Sequence, residues 1–211
     1  MSVRIKICGI TNRDDALAAT AAGADALGFM FYAASPRQLT FAAAGEIIRA
    51  LPPFVAKVGV FVDAPAESIQ RAIEECGLDT VQLHGDEPPE YCRRFTVKTI
   101  KAFRVKDEET LKQLPAYETS AWLLDSFEPG QPGGTGARFN WELAVAATRL
   151  GRPVILAGGL TPANVAEAVR VVRPFGLDVS SGVESGPGKK DRAKVIEFIA
   201  AARAAAATTG K

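Results

Sequence analysis

Along this chain the hydrophobic and polar positions switch repeatedly between two periods. Short β-rich runs, "VRIKIC", "ALGFMF", "AKVGVFV", "TVQLH", "TIKAF", "SAWLLD", "PVILAGG" and "LDVSSG", recur from one end to the other. Between them, apolar residues return every three or four positions, the spacing of a helix face. In "APAESIQRAIEECG", Ile69, Ala72, Ile73 and Cys76 form such a stripe and Gly77 supplies the stop. In "TPANVAEAVRVVRP", Thr161 is placed as the N-cap and Pro162 lies in the first turn, with Val165, Ala168, Val169 and Val172 as the stripe. Apolar strands alternating with amphipathic helices predict a parallel sheet covered by helices. Eight such units predict closure into one α/β domain over residues 1–211, a (β/α)8 TIM barrel whose Ala-rich end "IAAARAAAATTGK" frays into a tail. An open dinucleotide-binding sheet fits less well, since no G-x-G-x-x-G opens the first helix.

Composition narrows the functions this barrel can have. The 211 residues are 47% hydrophobic and 23% charged, enough for one substantial core. The formal net charge of +1, without a basic block, speaks against a nucleic-acid surface and leaves a small anion as the expected ligand. No apolar run approaches the roughly 20 residues of a membrane span, and "MSVRIKICG" is too short for a secretory leader. Cys8, Cys76 and Cys92 are an odd number without CxxC spacing, which argues against a disulfide framework and a thiolate zinc site. The expectation is a cytoplasmic protein with a small-molecule substrate, no metal, no membrane or nucleic acid, and no obligatory protein partner.

In a barrel of this class the C-terminal ends of the strands line the active face. Cys8 closes the first strand there; Arg37 follows the second, Asp63 the third, His84 the fourth and Asp125 the sixth. Glycine-rich turns follow the last two strands, in "LAGGLTPAN" and "LDVSSGVESGPGKK". Together these turns predict a phosphate site on backbone N–H groups, aided by a short helix starting around Gly182. Lys189 and Lys190 read as solvated charges at the start of the last helix.

A thiol and a carboxyl group facing one another can act as base and acid. Their reference pKa values, about 8.5 for Cys and 3.9 for Asp, are the wrong way round for those roles, so the site must lower one and raise the other. Cys8 has the simpler alternative of a small buried hydrophobe, which suits Cys76 outright. Asp125 stands directly before "SFEPGQPGGTGARF", a long glycine-rich loop of the kind that covers an active site. Arg37, in "SPR", has two even readings, a bidentate grip on a substrate carboxylate or a surface ion pair. His84, the only histidine, reads as a donor at a tight turn or a substrate-positioning group, and Asp63 as a cap for the next helix.

The motifs "KICGIT", "GADALGFMFYAASPR", "VGVFVD", "VQLHGDE", "LLDS", "PGGTG", "LAGGLTPANV" and "LDVSSGVESGPGKKD" together resemble the phosphoribosylanthranilate isomerases of tryptophan biosynthesis, in order and over effectively the whole chain. Ala33 departs from the proline common there. The resemblance implies an Amadori rearrangement in which Asp125 is the general acid and Cys8 the general base, with no cofactor. It implies that Arg37 grips the anthranilate carboxylate, that backbone around Gly158, Gly159, Ser181 and Gly182 holds the sugar phosphate, and that Asp178 orders the site. The related aminoimidazole ribotide isomerases of histidine biosynthesis, including bifunctional barrels, carry aspartate in place of Cys8. A catalytically silent phosphosugar-binding barrel is the alternative of a different class.

Overall fold

A computed structural model of the chain describes residues 3–126 and 141–209. Eight strands, β1 (Arg4–Cys8), β2 (Ala26–Met30), β3 (Ala56–Phe61), β4 (Thr80–Leu83), β5 (Lys98–Val105), β6 (Ala121–Ser126), β7 (Val154–Leu156) and β8 (Gly176–Val179), close into a parallel barrel in sequence order. Closure is made by β1 against β8, with Arg4 opposite Gly176 and Ile7 opposite Val179. The connecting helices are α1 (Arg13–Ala21), α2 (Phe41–Arg49), α3 (Ala66–Cys76), the short α4 (Pro89–Cys92) and α5 (Glu108–Gln113), α6 (Trp141–Ala147) and α7 (Val165–Val172). None of the described helices is long and apolar enough to cross a membrane.

Side-chain alternation divides the barrel into two shells. Outward residues such as Ile5, Ile7, Leu27, Phe29 and Leu83 join the helix stripes in the main core. Both expected stripes are buried there, and Gly77 ends α3 in the left-handed conformation at φ 73. Inside the barrel the fill is uneven. Ile100, Ala102, Ala121, Leu123, Ile155 and Ala157, from β5 to β7, make a small apolar cluster of their own. Lys6 on β1, Gln82 on β4 and Asp178 on β8 are buried polar groups.

Two local expectations change. Helix α7 starts later than "TPAN" suggests: Thr161 N–H donates to Asn164 Oδ1, and the Thr161 carbonyl accepts from Val165, so residues 161–164 form a turn that leads into the helix. After β8 the chain makes only a single 3-10 turn (Ser181–Val183), then a hairpin of β9 (Glu184–Gly186) and β10 (Lys189–Lys190), before α8 (Arg192–Thr209). Lys189 and Lys190 therefore lie on β10 and not on the last helix. Lys189 is exposed as expected, but Lys190 is buried, because the hairpin returns it to the Glu184 carboxylate at 2.7 Å. The Ala-rich end remains helical to Thr209.

Candidate active site

At the C-terminal end of the barrel a cavity of about 250 Å³ is bordered by Cys8, Arg37, Gln82, His84, Arg104, Asp125, Gly158, Gly159, Asp178, Ser181 and Gly182, among others. Every catalytic, substrate and phosphate candidate read from the sequence is among them. Cys8 and Asp125 stand three strands apart around the closed ring, on β1 and β6, nearly across the mouth. The loop that follows Asp125, including "PGGTG", lies outside the described residues.

The β1 and β8 side is built from charge. Lys6 precedes Cys8 by one pleat repeat and so shares its inward face. Its Nζ lies 2.9 Å from Asp178 Oδ1, and both side chains are almost wholly buried. Burial pushes the Cys8 thiol above its ordinary range and Lys6 offsets this only in part, while Asp178 adds to the rise. The folded chain thus departs from the lowered cysteine that the sequence chemistry requires, because desolvation outweighs the neighbouring cation. Lys6 itself is disfavoured by burial, but Asp178 and Cys8 more than compensate and hold it above the usual lysine value. Sequence reasoning missed Lys6; its only signal is a second charge, after Arg4, in the alternation of "VRIKIC", two residues from the thiol.

Arg37 is held in an ion pair at the cavity edge, partly buried and not on the open surface. Its Nε and Nη2 make a bidentate pair with Glu184, at 2.8 and 2.6 Å. Glu184, also unassigned from sequence, bridges Arg37 to buried Lys190, whose Nζ lies 3.2 Å from the Ser180 carbonyl. The guanidinium is accordingly clamped at the cavity edge with Nη1 outside the pair. Gly9 makes this packing feasible: it sits at φ 76, and a Cβ there would lie 2.4 Å from Arg37 Cδ. The sequence "CG" therefore joins the thiol to the one residue type that lets the arginine approach.

The opposite side is simpler. His84 Nε2 lies 3.3 Å from Asp125 Oδ2, and its Nδ1 lies 2.9 Å from Gln82 Nε2. Gln82 Oε1 is buried without a hydrogen-bond partner among the described residues. The turn after β4 is held from below: Glu87 accepts from the N–H groups of Asp63 and Gly85 and pairs with buried Lys101 at 3.1 Å. Asp63 does not cap α3, whose N-cap is Pro65 without a side-chain bond. Instead its Oδ1 accepts from Asp86 N–H at 2.7 Å and ties two mouth loops together.

The two glycine turns meet at the far edge. Gly158 and Gly159 both have positive φ, and Gly182 lies so close to the Leu160 carbonyl that a Cβ would sit 1.9 Å from its oxygen. Such crossed turns are the usual setting of an anion site after the last two strands of a barrel.

A closed (β/α)8 barrel with a thiol and a carboxyl group across a cavity, bordered by these loops, belongs to the class of acid–base enzymes that work at the C-terminal ends of their strands. The family model described as N-(5'-phosphoribosyl)anthranilate (PRA) isomerase matches residues 5–201. The chain belongs to this family. It is 56% identical over 200 residues to the N-(5'-phosphoribosyl)anthranilate isomerase of Geobacter sp. (strain M21), covering 95% of this chain and 98% of that one. The phosphoribosyl anthranilate isomerase of Thermotoga maritima superposes with a TM-score of 0.91 at 44% identity, covering 96% and 99% of the two chains. A phosphoribosyl anthranilate isomerase in complex with reduced 1-(o-carboxyphenylamino)-1-deoxyribulose 5-phosphate superposes at 0.87 and 43% identity, again over 96% and 99%.

Proposed function

We propose that this barrel isomerises N-(5-phosphoribosyl)anthranilate in tryptophan biosynthesis with Asp125 as acid and Cys8 as base. The observation that carries the reading is their placement on opposing walls of one cavity that also holds Arg37 and the two glycine turns. The Asp125 carboxyl protonates the furanose ring oxygen as the C1′–O bond breaks, and the anthranilate nitrogen lone pair forms the iminium. Cys8, as thiolate, removes the C2′ proton; the bonding electrons move into C1′=C2′ and neutralise the nitrogen. The enolamine then loses its hydroxyl proton and gains one at C1′ to become the ketone. Because the iminium nitrogen accepts the electrons, the step balances with no further group.

Burial raises the thiol, and the iminium cation formed beside it is what makes its ionisation affordable at the moment it is needed. Arg37, clamped by Glu184, presents its remaining N–H edge to the anthranilate carboxylate, and Gly158, Gly159, Ser181 and Gly182 receive the phosphate. His84 steadies Asp125, and Asp178 orders the base side. The ligand of the related complex, which combines a carboxyphenylamino group, a sugar and a phosphate, supports this division of the cavity. We read the chain as one barrel domain, and its three free thiols support a reducing, cytoplasmic setting.

The test is turnover of freshly generated phosphoribosylanthranilate by wild type and Cys8→Ala, with aminoimidazole ribotide as a second substrate. Consumption of the anthranilate compound by wild type alone is the expected result. A Cys8→Ala protein that turns over normally removes the thiol from its role, and consumption of the second substrate extends the activity to both rearrangements.

A further inference from the structure

Lys6 takes no part in the proton transfers above, yet it is an expensive residue to place inside a barrel. An unpaired ammonium there would cost several kcal/mol, and an apolar side chain of similar length would fill the space without that penalty. Its pairing with Asp178 is not needed to close the barrel, because backbone pairing already joins β1 to β8 from Arg4 to Ile7. A second feature ties Lys6 to Cys8 directly. Gly28, opposite Cys8 in the β1–β2 register, leaves a slot that both side chains share: a Cβ there would lie 2.6 Å from Cys8 Sγ and 3.1 Å from Lys6 Cε. The lysine stem and the sulfur therefore lean on the same patch of backbone, with the ammonium anchored beyond it on Asp178.

We propose that Lys6 is the positioning residue for Cys8: its ammonium, anchored on Asp178, fixes the sulfur in the barrel mouth and balances the negative charge it carries while abstracting the C2′ proton. This rests on the assignment of Cys8 as base. Lys6 exchanges no proton with substrate. The groups that face the sulfur are Lys6 from β1, Asp178 from β8, Lys190 from β10, and Arg37, whose charge is shared with Glu184. Lys6 and Lys190 favour the thiolate and Asp178 opposes it. Removing Lys6 and removing Asp178 must then move the sulfur in opposite directions, whereas loss of a purely structural ion pair would perturb it the same way in both variants.

The experiment uses the full chain as wild type, Lys6→Met, Lys6→Arg, Asp178→Asn and the double variant Lys6→Met/Asp178→Asn. Ionisation of Cys8 is followed by thiolate ultraviolet absorbance against pH, with Cys8→Ser as the blank that removes Cys76 and Cys92. In Lys6→Met the titration should move up by about one pH unit or more, with kcat at neutral pH down about tenfold, KM little changed and part of the rate regained at higher pH. Asp178→Asn should move the titration down, and Lys6→Arg should stay near wild type. Shifts in the same direction for Lys6→Met and Asp178→Asn, or no shift in Lys6→Met, overturn the proposal. Should Lys6→Met fail to fold, the double variant, which leaves no orphaned carboxylate, must titrate above Asp178→Asn alone; equal values overturn it. Normal turnover by Cys8→Ser would instead remove the base assignment, while the titrations still decide whether Lys6 governs the sulfur.

Discussion

The two walls of the cavity are built on different physical principles. On the β1 and β8 wall, Lys6 pairs with Asp178, and Arg37 and Lys190 converge on Glu184, so that each charge has a fixed partner at 2.6 to 2.9 Å. On the β4 and β6 wall, Asp125 lies 3.3 Å from His84, which in turn leans on the Gln82 amide. In the proposed mechanism the sulfur that becomes an anion has fixed countercharges in place before the reaction, whereas the carboxyl group that exchanges a proton faces a histidine across a longer contact. Preorganised charge is useful at the first wall and would hinder proton exchange at the second.

Removing the proposed base or the proposed acid is expected to be the largest perturbation. Cys8→Ala and Asp125→Asn are each expected to lower kcat by about 10²–10⁴-fold, with unchanged circular dichroism and thermal unfolding. Near-normal kcat in one of them would mean that the walls do not divide the acid and base roles. Next in size is a stability effect confined to the charged wall. Lys190→Met leaves Glu184 with one of its two cations and should cost about 1–3 kcal/mol in urea unfolding, whereas the adjacent Lys189→Ala, on an exposed position, should stay within about 0.5 kcal/mol.

Acid sharpens the same contrast. Burial alone would raise Glu184, but its bonds to Arg37 and Lys190 hold it below its ordinary value of 4.5. A depressed carboxylate contributes stability that is fully present above its unfolded value and lost as pH falls through the folded one. The stability gap between wild type and Glu184→Gln should therefore be constant above pH 4.5 and shrink below it, as read from urea unfolding at a series of pH values. The smallest catalytic effect belongs to the other wall: His84→Asn, losing the 3.3 Å contact with the Asp125 carboxylate, should lower kcat by about tenfold. A loss as large as that of Asp125→Asn would make the histidine a proton-transfer group in its own right.

Much of this is legible in the sequence. Period-two runs and helical stripes located all eight strands, because the burial that enforces those patterns is local to each element. Cys8, Arg37, His84, Asp125 and the glycine turns were picked out because barrel connectivity sends every strand end to the same face. The short α4 and α5 carry too few residues for a stripe, and the hairpin at 184–190 hid inside a glycine-rich tract that reads equally as a helix entry.

By itself the sequence determined the order of elements, the closed barrel and the set of residues delivered to its mouth, since those depend on periodicity and on position relative to strand ends. Only the tertiary structure decided who partners whom. Arg37 finds Glu184 across 147 positions, and Lys6 finds Asp178 across 172. Such pairs leave no trace in local spacing, because they follow from ring closure between the first strand and the last. The state of the Cys8 thiol belongs to the same category: its direction is set by burial and Asp178 against Lys6 and Lys190, a balance that exists only once the chain has folded.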